Sequence, residues 1–121
     1  MTSRNDALAA HLPLRPVDFH ILLVLTDGDL HGYGIVKEIQ ERSQGRIQLE
    51  PGNLYRHIRT LVEAGMIEAA ERRPSGGGGD ERRRYYRVLP FGREVLAADA
   101  MRMRALVAAA AARVSLPVEG S

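Results

Sequence analysis

Cysteine and tryptophan are absent from this chain, and lysine occurs once, as Lys37. Without cysteine there can be no disulfide staples, no thiolate zinc site and no thiol nucleophile. Long apolar runs are missing as well. The longest, Ala105 to Ala112, is far short of a membrane span, and Met1–Ala10 holds no apolar stretch of signal-peptide length. These absences make a cytoplasmic protein without membrane contact the expectation. The 121 residues amount to one domain, large enough to bury a core. With 45% hydrophobic and 26% charged residues, the chain has the balance of a folded globular protein rather than a disordered one.

The basic residues are almost all arginine, and they are unevenly spread. Arg72, Arg73, Arg82, Arg83, Arg84, Arg87 and Arg93 fall in one short segment against Asp80 and Glu81, on a chain whose net charge is only +2. A local basic patch on a near-neutral protein is the electrostatic footprint of a polyanion binder; a solvated charged face is the plainer alternative.

Residues 1–13 lack strong periodicity and read as a mobile arm, with one loose turn over Asp6–Ala10. Beyond Pro16, the run from Val17 to Thr26 reads as a helix stopped by Asp27-Gly28-Asp29. A second helix is expected over Gly32–Ser43, with Ile35, Val36 and Ile39 on one face and charge on the other. Arg46–Leu49 alternates and is a candidate short strand. Pro51 opens a third helix and Gly65 closes it; Leu54, Ile58, Leu61 and Val62 form its apolar stripe. Period two then appears over 66–73 and again over 83–88, either side of Pro74-Ser-Gly-Gly-Gly-Gly79, which predicts a hairpin. A last helix runs from Pro90 to about Val114. Its Leu96, Ala100, Met103, Val107, Ala110 and Val114 are spaced as a heptad seam that needs a partner helix, with packing on the chain's own core as the alternative.

This order, three short helices, a basic hairpin and a long helix, is that of a winged helix-turn-helix, in which the third helix enters the major groove and the wing meets flanking phosphates. The fold expected is mainly α with a small β-hairpin. A DNA-binding domain over 14–89 is followed by a dimerisation helix over 90–114 and a disordered tail over 115–121.

Several motifs in order, His31-Gly-Tyr-Gly-Ile35, Pro51-Gly-Asn-Leu-Tyr-Arg56, Leu61–Ile67, Arg82–Arg87 and Gly92-Arg93, resemble the PadR family of bacterial transcriptional regulators over about Leu14–Val107. The resemblance implies a winged-helix homodimer, built through a single C-terminal helix, that usually represses and is released by a small molecule. Three positions depart from the family's pattern. Glu50 stands where Ser or Thr commonly precedes Pro-Gly, and Leu89 stands where Thr is frequent. Met103 occupies the position of a tryptophan that stacks on flat drugs in some members, so a stacking site of that kind is not implied here.

Within this frame, Asn53, Tyr55, Arg56 and Arg59 are the candidates for contact with DNA from the third helix. Arginine's fork fits guanine O6 and N7, asparagine fits adenine, and a tyrosine hydroxyl suits phosphate. Tyr55 borders the apolar stripe, so a core role competes. Lys37 is a candidate phosphate contact, as are Arg82, Arg83 and Arg84, although strand alternation sends Arg83 and its neighbours to opposite faces. The glycines 76–79 lack the Gly-Lys-Ser/Thr and the helix of a phosphate-binding loop. His11, His20, His31 and His57 are scattered without ligand spacing, so no metal or cofactor is expected, and His31 is read as helping to start the second helix. No catalytic constellation stands out, which sets aside a small hydrolase or isomerase. The function expected is a sequence-specific regulator, a homodimeric repressor on a near-palindromic operator, with an effector near Leu96, Met103 and Val107. The alternative is a winged-helix module that binds proteins.

Overall fold

The computed structural model describes residues 3–70 and 84–117. The elements are α1 Arg4–Ala9, α2 Pro16–Leu25, β1 Leu30–His31, α3 Gly32–Arg42, α4 Pro51–Glu63, β2 Ile67–Ala70, β3 Tyr85–Val88 and α5 Pro90–Ala111. Helix α2 is apolar on nearly every side, and a helix of that kind belongs at the centre. Its Ile21, Leu22, Val24 and Leu25 are all buried, and it packs on α3, α4 and α5. Ile35 and Ile39 from α3 and Leu54, Ile58 and Leu61 from α4 close on it, with Met66, Ile67, Tyr86 and Val95 completing the core. Val62, expected in the buried stripe, is 41% exposed. It sits at the edge of the stripe, where α4 turns toward the sheet rather than toward α2.

Three antiparallel strands form a sheet in the order β1-β3-β2. Within the hairpin, Ile67 faces Val88 and Ala70 faces Tyr85; on the other edge Leu30 faces Tyr86. The hairpin and the helix order are those expected of a winged helix. Strand β1 was not expected. The alternating Arg46–Leu49, expected as a strand, pairs with no strand among the described residues: Ile47 and Leu49 pack against the core from an irregular connection. Alternation there reflects one-sided burial alone, whereas a strand also requires a partner's backbone groups.

The arm expected over 1–13 carries helix α1. Ser3 accepts from the Asp6 N–H at 3.1 Å, and the Ser3 N–H donates to the Asp6 carboxylate, a reciprocal cap. The segment docks on α5 through an Arg4–Glu94 ion pair and an edge-on contact of His11 with Phe91. Where α5 begins, the Leu89 N–H donates to the Met66 carbonyl at 2.8 Å. Gly92 is buried there, and a Cβ on it would overlap that same carbonyl oxygen. Helix α5 ends at Ala111 rather than Val114. The glycine loop and the tail beyond 117 lie outside the described residues.

Candidate nucleic-acid interface

Helix α4 is anchored before it is aimed. Pro51 sets its first turn and Glu50 caps it without a side-chain hydrogen bond. Leu54, 1% exposed, together with Ile58 and Leu61, commits one side to the core. His57 adds a polar anchor that the sequence reading missed: its Nδ1 lies 2.8 Å from Oδ1 of Asp18, a buried carboxylate on α2. An acid on an otherwise apolar helix, and a histidine one turn from Leu54 and Leu61, were the available signals. A buried carboxylate is tolerated only with such a partner.

The remaining surface of α4 is open. Asn53, Arg56 and Arg59 are exposed, and neither guanidinium has an ion pair or hydrogen bond among the described residues. Their neighbours on the chain are more occupied. Arg87 pairs with Glu68 at 3.4 Å across the hairpin, and Arg93 donates to the Thr26 carbonyl at 3.5 Å. Part of the arginine cluster seen in the sequence is therefore structural, while Arg56 and Arg59 on α4 have no such partner among the described residues.

Tyr55 is 50% exposed, which joins the two roles weighed for it. Its hydroxyl approaches the buried Gly32 at the start of α3, where a Cβ would meet it at 2.9 Å and require the tyrosine to shift. Its ring borders a groove of about 510 Å³ between α4 and the sheet, shared with Arg59, Arg84 and Tyr86. Burial pushes the Tyr86 hydroxyl above its ordinary pKa, and the Arg84 guanidinium against it acts in the opposite sense. Arg84 itself is exposed at the start of β3; Arg82 and Arg83 lie outside the described residues. Lys37 is exposed on α3 beside Tyr33 and Gln40. His31 caps α3 by accepting from the Gly34 N–H at 3.1 Å, as expected of it.

The seam expected on α5 is divided. Leu96 is half-buried against the chain's own core and Met103 is half-buried, while Ala100, Val107, Ala110 and Val114 are exposed. From Arg104 to Leu116 every residue is exposed, Leu106 included. Asp99, buried on the inner face, is held by Arg102 at 2.7 Å. No cluster of metal-ligating side chains occurs among the described residues, and no helix among them is long and apolar enough to cross a membrane.

Several solved structures share this architecture. A transcriptional regulator from Clostridium thermocellum is 24% identical, with 93% of this chain and 99% of that one aligned at a TM-score of 0.67. A PadR-like transcriptional regulator from Bacillus cereus is 16% identical over 91% and 97% of the two chains, at a TM-score of 0.69. Bacillus subtilis PadR, solved in complex with operator DNA, is 17% identical, with 88% of this chain and 52% of that one aligned at a TM-score of 0.58. At such identities the likeness is one of fold. No curated protein sequence matches the chain. Residues 21–98, from within α2 into α5, match the transcriptional regulator PadR-like family. Members of that family are transcriptional regulators, not enzymes. With more than half of its sequence inside that match, the chain belongs to the PadR-like family of transcriptional regulators.

Proposed function

We propose that the protein is a sequence-specific DNA-binding repressor that acts in the cytoplasm as a homodimer on a near-palindromic operator and releases it on binding a small molecule. The observation that carries this reading is the outer side of α4, where Arg56 and Arg59 stand exposed and uncompensated on a helix whose opposite side is locked into the core. Free guanidiniums on a rigid helix suit the guanine edge and the phosphate backbone. Bacillus subtilis PadR, similar in fold, binds operator DNA. The dimer is supported by the end of α5 and the turn after it, where Leu106, Val107 and Val114 are exposed with nothing among the described residues to cover them. A second copy of the same helix supplies a matching apolar seam. Each subunit then offers one α4, and the two lie about one DNA turn (~34 Å) apart.

Selection of bound sequences from a random duplex pool tests the reading. The expected product is one enriched motif with two inverted half-sites about one turn apart. Recovery of no motif above the starting pool, with binding governed by salt alone, overturns it.

A further inference from the structure

Most of what holds α4 is apolar. Leu54, Ile58 and Leu61 are buried in the core. Such contacts set how closely a helix approaches its neighbours, but they are non-directional and resist a small roll about its axis only weakly. The C-terminal end of α4 passes through Gly65 into β2 and is held by the sheet. Its N-terminal half, which carries Asn53 and Arg56, follows the irregular connection 46–50, and Glu50 gives it no side-chain cap. A directional contact acts on that half: His57 Nδ1 lies 2.8 Å from Oδ1 of Asp18. Asp18 is buried in the first turn of α2, whose Ile21, Leu22 and Leu25 are in the core, so the bond refers α4 to the body of the fold.

The place of His57 on the helix matters. At about 3.6 residues per turn, His57 lies roughly 70° round α4 from the middle of the apolar stripe. A bond at the margin of the stripe opposes a roll, where a bond at its middle would let the helix turn. Arg56, the preceding residue, is carried on the exposed side. A guanidinium ~8 Å from the helix axis moves by roughly 1.4 Å when the helix rolls by ~10°. Paired hydrogen bonds to a base edge do not survive such a shift, whereas the attraction of the same charge to a phosphate changes little.

We propose that Asp18 and His57 are positioning residues for sequence reading: their bond fixes the roll of α4, and so the point at which Arg56 meets a base edge, while neither side chain touches DNA. This rests on the reading of α4 as the DNA-contacting helix. The test uses the full chain with its selected motif, the same motif changed at one base pair, and random duplex. His57→Leu removes the bond but leaves the Asp18 carboxylate buried without its partner, so it should also lower stability. Combining it with Asp18→Leu removes both polar groups and leaves an apolar contact that keeps the fold. In both variants the preference for the motif over the changed motif should fall by about tenfold, within the worth of one paired base contact. Random-duplex affinity at the folded fraction and the salt dependence should stay as they are, because no phosphate contact is lost. A loss of stability alone weakens every DNA by one factor and leaves the preference unchanged. His57→Asn sets an amide N–H where Nδ1 stood, and Asp18→Asn offers a partner to either tautomer, so both should keep the wild-type preference.

Amide residual dipolar couplings follow the aim of the helix without DNA. In the double leucine variant the couplings of α4 should no longer fit its wild-type orientation relative to α2, and in the two asparagine variants they should. Wild-type preference or wild-type couplings in the double variant overturns the proposal, because packing alone then aims the helix. Loss of preference in His57→Asn as complete as in His57→Leu, or a shallower salt dependence in either, also overturns it and makes the imidazole a contact to DNA. If the wild-type chain selects no motif, the reading of α4 fails, and the couplings still decide whether the pair sets the roll.

Discussion

Arg56 and Leu54 are two positions apart on α4 and face opposite ways, so they separate contact from scaffold. Arg56→Ala should cost about 1–3 kcal/mol of operator binding and relax the preference at one base pair per half-site. Arg56→Lys should retain much of the non-specific affinity and lose most of that discrimination, because a point charge does not reproduce the planar fork. Competition binding with operator and singly mutated operators measures both. An unchanged ratio would mean that Arg56 touches only phosphate. Leu54→Ala should act through stability, by about 2–5 kcal/mol in urea unfolding, since the side chain is fully enclosed. Tyr86 gives a pH signature. Its phenol is pushed above the ordinary value of 10.0 by burial, so the folded state favours the neutral form. The stability this confers is complete at neutral pH and is lost as pH rises past 10 through the folded-state value. Tyr86→Phe should flatten that alkaline loss in a series of urea midpoints.

Helix α5 joins two jobs that the heptad pattern could not tell apart. Its first turns belong to the core, where Gly92, Val95 and Asp99 are buried; its last turns are exposed and are those the proposed dimer would use. Truncation after Pro90 should therefore give an insoluble chain, because it removes Val95 from the core. Ending the chain after Met103 should leave a folded monomer. Sedimentation velocity at tens of micromolar distinguishes these from the dimer proposed for the full-length chain, and a full-length monomer under the same conditions would count against the seam. The helices were legible because their apolar spacing, Pro starts and Gly stops are local signals: Pro16, Pro51 and Pro90 each open a helix, and Gly65 stops α4 at a φ of 77°. Strand β1 was not legible, because two residues carry no period and their pairing with Tyr85 and Tyr86 is remote in sequence. The short α1 left one trace, the Ser3…Asp6 capping box. The Asp18–His57 bond joins residues far apart along the chain, so only the fold reveals it.

Taken as one body, the chain has two groups of arginines proposed to meet DNA in different ways, those on α4 and those in the segment after the glycine loop. The segment's Arg82 and Arg83 should supply affinity without sequence information. Replacing both with Ala should weaken operator and random DNA about equally and make the salt dependence shallower by roughly one per lost phosphate contact in each subunit. A loss confined to the operator would contradict this. The junction at Gly92 bears on how far apart the two α4 helices of a dimer would be held. Leu89 is bonded to the Met66 carbonyl just beyond α4, and Gly92 brings α5 against the same group without an intervening side chain. These two contacts tie the start of α5 to the residue just beyond α4, so the two helices are expected to turn together like the arms of a bent lever. In the proposed dimer, adjustment then falls to the crossing angle between the two α5 helices. At 1.5 Å per residue α5 is ~33 Å long, so a change of ~10° in that angle would carry its far end by roughly 6 Å. Half-site spacing would then be tuned by substitutions at Val107, Ala110 and Val114, far from any base pair, and a lengthened spacer in the operator should be rescued there rather than on α4.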